Sequence, residues 1–246
     1  MTGKTVLITG STRGIGLEFA QHYAKAGWRV IGVARNGSNA DKVRFVNSAL
    51  CSILGAHGLL KALNPFKIVA IDSRDEESVV QAAKELEGVP IDLLINNAGI
   101  FEESGLAATT KNSLMTQFEV NAAGPFLVTR ALLPNLKLAA NASGSAVVAQ
   151  VSSYMGSIAN NEGGAYGYRV SKAALNMVNS CLSIDLKPAK IATVALHPGY
   201  VVTDLTGGLG DVRTDESVAG MTRVLDKVTL KDTGKFFHFQ GHEIEW

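Results

Sequence analysis

The chain has 246 residues, 46% of them hydrophobic and 18% charged, with a formal net charge of +1. That is enough length and apolar content for one large α/β core, and the near-neutral balance gives no sign of a nucleic-acid or membrane partner. Two cysteines, Cys51 and Cys181, exclude a disulfide framework and a cysteine-rich metal site, so a reducing, cytoplasmic setting is expected.

Short β-branched runs alternate with helical patterns along the whole chain. Residues 5–9 (TVLIT) open the series, too short and too quickly broken by glycine to be a signal peptide or a membrane span. Residues 29–34 (RVIGVA), 67–72 (KIVAID), 92–96 (DLLIN), 145–151 (SAVVAQV) and 191–197 (IATVALH) are nearly all apolar, as strands covered on both faces must be. Residues 236–239 add a seventh. Between them, Ile15, Phe19 and Tyr23 share one helical face, and Ser73 with Glu76 forms a capping-box pattern for a helix through Leu86. Val170, Ala174, Met177, Val178 and Cys181 make an apolar stripe at helical spacing. This alternation predicts an α/β doubly wound parallel sheet of about seven strands with helices on both faces, a Rossmann fold, in one domain over 1–246. The stretch 36–65 is longer than one helix and two loops require; an extra helix at the sheet edge, an insertion and a gene-model artefact are the readings open for it.

The first strand runs directly into TGSTRGIG and then a helix. Gly10 permits the tight turn, Gly14 lets backbone approach a pyrophosphate, and Gly16 allows close packing of helix on strand. The helix N-terminus beyond them supplies free N–H groups and a positive dipole end for phosphates. The spacing G-x-x-x-G-x-G differs from G-x-G-x-x-G, and a glycine turn without ligand is the alternative for this segment taken alone.

The segment GGAYGYRVSK holds two tyrosines and one lysine. Tyr168 and Lys172 are four apart and so share a helical face, whereas Tyr166 has Val170 at that offset. A phenol with a pKa near 10 is a poor acid or base at neutral pH; an adjacent ammonium favours its ionised form, which would make Tyr168 a workable proton donor and acceptor.

TGSTRGIG, NNAG at positions 96–99, Asn121 within a helical stretch, YRVSK at 168–172 and PGYVVT at 198–203 occur in an order that resembles the short-chain dehydrogenase/reductase family across nearly the whole chain. The stretch GKFFHFQGHEIEW and its neighbours resemble the carbonyl-reductase branch that includes sniffer and C-factor. The resemblance implies a dinucleotide on Gly10, Thr12, Arg13, Gly14, Ile15 and Gly16. It further implies Asp72 at the adenine edge and Asn97, Ala98 and Gly99 beneath the adenine ribose. Pro198, Gly199, Val201 and Thr203 would fix the carboxamide, and Lys172 the nicotinamide ribose. Its catalytic set would be Asn121, Ser153, Tyr168 and Lys172, with Ser153 steadying the substrate oxygen and Asn121 holding a water that links Lys172 to solvent. Ser152 is the alternative to Ser153; Asp72 as a helix cap, NNAG as a plain turn and Asn121 as a satisfied interior group are the structural alternatives. Ser153 and Tyr168 stand two residues further apart than is commonest in the family, a difference assigned to the loop 158–165.

Cofactor choice has a physical basis. The second strand ends Val33-Ala34-Arg35 with no carboxylate to bond a ribose 2′-hydroxyl, and Arg13 lies in the glycine turn. Two guanidiniums suit a 2′-phosphate, so NADP(H) is expected. Five histidines are scattered in sequence and no metal site is expected. The expected function is NADPH-dependent reduction of a small carbonyl compound in a homodimer or homotetramer. The alternative is a non-catalytic NADP(H)-binding sensor or scaffold, which has no chemical need for Ser153, Tyr168 and Lys172 together.

Overall fold

A computed structural model describes residues 3–35 and 59–246. Seven strands form one parallel sheet: β1 (Thr5–Ile8), β2 (Arg29–Ala34), β3 (Lys67–Ala70), β4 (Leu93–Asn96), β5 (Ala146–Val151), β6 (Ile191–His197) and β7 (Phe236–His238), in the order β3-β2-β1-β4-β5-β6-β7. The α-helices that pack on it are α1 (Gly14–Lys25), α2 (Glu76–Glu85), α3 (Lys111–Phe118), α4 (Gly124–Ala131), α5 (Leu133–Ser143), α6 (Tyr166–Asp185) and α7 (Thr214–Leu225). This is the doubly wound Rossmann architecture expected from the alternation of patterns.

The continuous apolar runs are explained by two cores, one on each face. Alternate residues of a strand point to opposite sides. Leu7, Ile31, Val33, Leu94 and Val148 meet Val79, Leu86, Val128, Leu136 and Leu182 of the helices on one side. Val6, Ile8, Val30, Ile95, Val151 and Leu196 meet Phe19, Tyr23, Val218 and Met221 on the other. The chain starts at the sheet's middle, runs outward through β2 and β3, then returns across β1 to β4. That reversal opens a crevice beyond the carboxyl ends of β1 and β4, where the glycine turn and NNAG sit.

Three expectations change in detail. Helix α2 begins at Glu76 with Asp75 as its cap, Asp75 accepting from the Glu77 amide at 3.0 Å. Ser73 instead lies in the preceding turn, against Gly124, where any added side chain would crowd it. Second, the expected stripe divides: Val170, Met177 and Cys181 face outward, Met177 being 64% exposed, whereas Ala174 is half-buried and Val178 packs against the core; α6 buries Tyr168, Lys172, Leu175, Asn179 and Leu182. Third, most of the long stretch 36–65 lies outside the described residues; of the remainder, 59–62 are helical and Leu60 is fully buried against Gly32 of β2. Among the described residues, no helix is long and apolar enough to cross a membrane.

Candidate active site

The glycine turn is built by polar side chains as much as by glycines. Gly10 and Gly14 adopt φ of 65° and 51°, a region open to glycine at little cost. A β-carbon on Gly16 would overlap the Gly10 carbonyl oxygen and the Asn97 amide, so Gly16 closes the helix onto the turn itself rather than onto a strand. The Thr9 hydroxyl accepts from the Asn97 and Ala98 amides at 2.9 and 3.0 Å, and the Asn97 side chain donates to the Thr9 carbonyl at 3.0 Å. Ser11 ties the turn to the end of β2, donating to the Val33 carbonyl at 3.1 Å and accepting from the Val33 amide at 2.8 Å. Thr9 and Ser11 stand in the quoted motif, yet glycine spacing alone does not single them out.

Arg13 and Arg35 are both exposed, and Thr12 and Ile15 are half-buried. The Arg13 guanidinium lies 3.5 Å from Asp204. An exposed pair of this kind is worth about 0–1 kcal/mol, too little to withhold Arg13 from a stronger anion. The Asp72 carboxylate accepts from the Arg74 amide at 3.0 Å in a local turn and does not cap α2.

On the other side of the crevice, β5 delivers Ser152 and Ser153. Ser152 donates to Asn176 at 2.6 Å, fully inside the protein, and is thereby a packing residue. Ser153 caps a single 3₁₀ turn, Tyr154–Gly156, accepting from the Met155 amide at 3.2 Å. Gly156 presses this turn onto α6; a β-carbon there would come within 2.8 Å of the Lys172 backbone. Between Ser153 and Tyr168, Gly163, Gly164 and Ala165 all take positive φ, immediately before α6. A left-handed alanine costs about 1–2 kcal/mol relative to its ordinary backbone, and Ala165 is held there at the helix start.

Tyr168 and Lys172 lie one above the other on the buried face of α6, the lysine nitrogen 5.6 Å from the tyrosine ring centre. Tyr166 is exposed on another face. Lys172 donates to the Val151 carbonyl at 2.8 Å, at the end of β5. Burial pushes the Tyr168 phenol up to about 12, with the neighbouring Ser153 side chain pulling the other way. Burial also pulls the Lys172 ammonium down to about 8. The lowering of the phenol expected from a neighbouring ammonium is therefore not what the protein alone provides: desolvation disfavours both charged forms and outweighs their attraction. Phe101, which follows NNAG-Ile100, packs edge-on to the Tyr168 ring at 4.9 Å. No sequence motif marks that contact.

Asn121 sits in a single π-helical turn, Glu119–Ala123, between α3 and α4. Such bulges concentrate at functional sites. Its side chain donates to the Ile100 carbonyl at 2.9 Å and to Ser171 at 3.0 Å, and accepts from the Ile100 amide at 2.9 Å. Gly99 lies between this side chain and Lys172: a β-carbon there would be 3.2 Å from Asn121 Oδ1 and 3.7 Å from Lys172 Nζ. Pro198 and Gly199 follow β6, the Pro198 carbonyl held by Ser217 at 2.6 Å. Val201 is buried, and Thr203 caps a 3₁₀ turn with its methyl 3.6 Å from the position of a β-carbon on Gly14. Glycine turn and PGYVVT thus face each other across the crevice.

The histidines are less scattered than their sequence positions suggest. His197, His238 and His242 form a column, with ring centres 5.1 and 4.4 Å apart. His197 accepts from the Tyr154 amide at 3.1 Å and is held neutral, its pKa pushed down to about 3 by burial first and then by the other two rings. Among the described residues, no group of three or more histidines, cysteines and carboxylates is disposed to hold a metal ion.

The family model for short chain dehydrogenases matches residues 4–213. The chain belongs to the short-chain dehydrogenase family. It is 45% identical to C-signal of Myxococcus xanthus over 162 residues, which cover 64% of this chain and 93% of that one. It is 30% identical to 1-hydroxy-2-glutathionyl-2-methyl-3-butene dehydrogenase of Rhodococcus sp. (strain AD45), over 98% of this chain and 99% of the relative. Among solved structures, NADPH-bound carbonyl reductase from chicken fatty liver superposes with a TM-score of 0.85 at 34% identity, covering 100% of both chains. Carbonyl reductase Sniffer of D. melanogaster gives 0.86 at 30% identity, over 99% of this chain and 100% of that one. Within the family, then, this oxidoreductase falls in the sniffer and C-factor-like branch.

Proposed function

We propose that this short-chain dehydrogenase is an NADPH-dependent carbonyl reductase with Tyr168 as its acid. The observation that carries this reading is the convergence of Tyr168, Ser153 and Lys172 across one crevice from the glycine turn. The cofactor fits the residues present. At Gly14 the backbone is bare, with only the Thr203 methyl nearby, which leaves a pyrophosphate access to the amides that open α1. Arg13 and Arg35 would hold a 2′-phosphate, Asp72 and the Asn97-Ala98-Gly99 backbone the adenosine, Lys172 the nicotinamide ribose, and Thr203 with Pro198, Gly199 and Val201 the carboxamide. When bound, the nicotinamide supplies the hydride.

The protein's own groups handle the substrate oxygen and its proton. Ser153 lies near enough to Tyr168 to ease the phenol's ionisation, so a carbonyl oxygen seated between the two hydroxyls would meet two donors aimed at the charge that develops there. A phenol near 12 is neutral at physiological pH and still acidic enough to protonate an alkoxide, so its resting state favours reduction. Lys172 then resupplies the proton. Both side-chain hydrogens of Asn121 are already engaged, so a water linking Lys172 outward would be held by oxygen atoms of that residue.

The test is NADPH oxidation by purified protein over a panel of aldehydes, ketones and quinones, with NADH in parallel. Turnover that favours NADPH is expected. Tight NADPH binding without turnover would replace the enzyme reading with that of a sensor, and a preference for NADH would remove the roles given to Arg13 and Arg35.

We further propose that copies of this chain associate through the outward faces of α3, α4 and α6. Met115, Phe118, Phe126, Val170, Met177 and Ile184 are all exposed on these helices, more large apolar side chains than a solvent-facing surface needs. Met177→Asp is expected to yield monomers in sedimentation velocity; an unchanged sedimentation coefficient would place the contact elsewhere.

A further inference from the structure

We propose that Ser157 and residues 244–246 form a clamp that positions Ser153, making the stretch beyond β7 a supporting wall of the carbonyl site. The proposal rests on the reductase reading for its kinetic consequence, but its structural core stands apart from it.

After β7 the chain reverses. Phe237 and Glu243 form an antiparallel bridge, the His238 amide donates to the His242 carbonyl at 2.9 Å, and the Ile244 amide donates to the Phe236 carbonyl at 2.8 Å. Ile244 is buried with Phe236 and Ala195, and the Trp246 ring stacks on Phe236 at 5.5 Å. This fixes two carbonyl groups beside the loop that follows Ser153. The Ser157 hydroxyl donates to the Glu245 carbonyl at 2.6 Å, and the Ala159 amide donates to the Trp246 carbonyl at 3.0 Å.

From Ser157 the connection runs back to the active site. Its oxygen accepts from the Asn160 amide at 3.2 Å and from the Asn160 side chain at 2.8 Å, so its one proton and both lone pairs are all in use. The Tyr154 hydroxyl donates to Asn160 at 2.7 Å, and the Tyr154 amide donates to His197. Tyr154 is the residue after Ser153 and opens the turn that Ser153 caps. The far end of that turn is therefore gripped twice, by Gly156 against Lys172 and by Ser157 against residues 244–246, and Ser157 reaches its near end through Asn160 and Tyr154. Slackening the second grip leaves the glycine turn untouched but lets Ser153 drift from the Tyr168 hydroxyl, and a displacement of about 1 Å at a reacting group can cost about a hundredfold in rate.

The experiment pairs amide hydrogen exchange with kinetics on full-length Trp246→Ala, Trp246→Phe and Ser157→Ala. In Trp246→Ala and Ser157→Ala, exchange over residues 153–160 is expected to rise about tenfold, with the peptides of the glycine turn unchanged. With the carbonyl substrate, kcat/KM is expected to fall about tenfold while NADPH affinity stays at the wild-type value. Trp246→Phe, which keeps an aromatic ring on Phe236, should restore both readouts. Unchanged exchange over 153–160 in the alanine variants overturns the clamp, whether or not the protein turns over any carbonyl. Looser exchange with an unaltered kcat/KM overturns its link to Ser153. A wild-type protein without turnover sinks the reductase reading alone, and the exchange data still decide the clamp.

Discussion

Tyr168→Phe is expected to lower kcat/KM for NADPH-driven carbonyl reduction by about 10²- to 10⁴-fold, the range for removal of a general acid. The substitution deletes one hydroxyl and retains the ring, so the edge-on contact with Phe101 survives and α6 keeps its packing. NADPH affinity, read by fluorescence titration, should therefore stay within about twofold of wild type, since the hydroxyl serves the transition state rather than the dinucleotide. Turnover that persists in the variant would remove Tyr168 from the mechanism and return attention to Tyr166. The same pair sets a pH dependence for the wild-type protein. Burial lowers Lys172 from its usual 10.5 to about 8, so its charge is present below that pH and lost above it. Reduction should accordingly slow as pH rises through about 8, because a neutral amine no longer resupplies the Tyr168 proton. A rate that stays flat from pH 7 to 10 would exclude Lys172 as that source.

Gly16→Ala is expected to abolish NADPH binding and to destabilise the fold by about 1–3 kcal/mol, the usual cost of overpacking. The added methyl would meet the Gly10 carbonyl and the Asn97 side chain. Neither can yield. Gly10 is committed to a left-handed turn, and the Asn97 side-chain nitrogen is bonded to the Thr9 carbonyl. Gly27→Ala provides the contrast: its φ of 78° carries a left-handed penalty that helical Gly16 does not, but nothing lies within 4 Å of the new methyl. It should lose only about 1–2 kcal/mol from backbone strain and leave NADPH binding intact. Thermal melts and dinucleotide titrations on the two variants separate these outcomes, and wild-type binding by Gly16→Ala would show that the turn is far softer than its geometry implies.

The sheet was legible in the sequence because its signal is local. Runs such as RVIGVA and IATVALH state their burial residue by residue, and β2 and β6 have the expected bounds. The Tyr168–Lys172 pair was legible for a similar reason, since helical spacing fixes which residues share a face. What escaped depended on partners distant in sequence. Ser152 and Ser153 are chemically identical neighbours, and only the position of Asn176 on α6 shows which one is engaged in packing. The stripe of Val170, Met177 and Cys181 has the periodicity of a buried face, yet periodicity cannot say whether the cover comes from the same chain. The histidine column joins residues from β6, β7 and the reversal after β7, three segments whose proximity only the sheet order creates. The phenol's upward shift was equally hidden, because the degree of burial that governs it is a property of the assembled crevice.

The reversal after β7 has a consequence for the molecule's behaviour in a crowded solution. An outermost strand normally offers a row of unmet amides and carbonyls on which a stranger's strand can crystallise, the first step toward fibrous precipitates. Here Phe236 and His238 direct their outward groups to Ile244 and His242 of the same chain. That flank of the sheet is sealed from within, so exposed apolar helices can be tolerated nearby without a ladder waiting to convert a chance encounter into irreversible stacking.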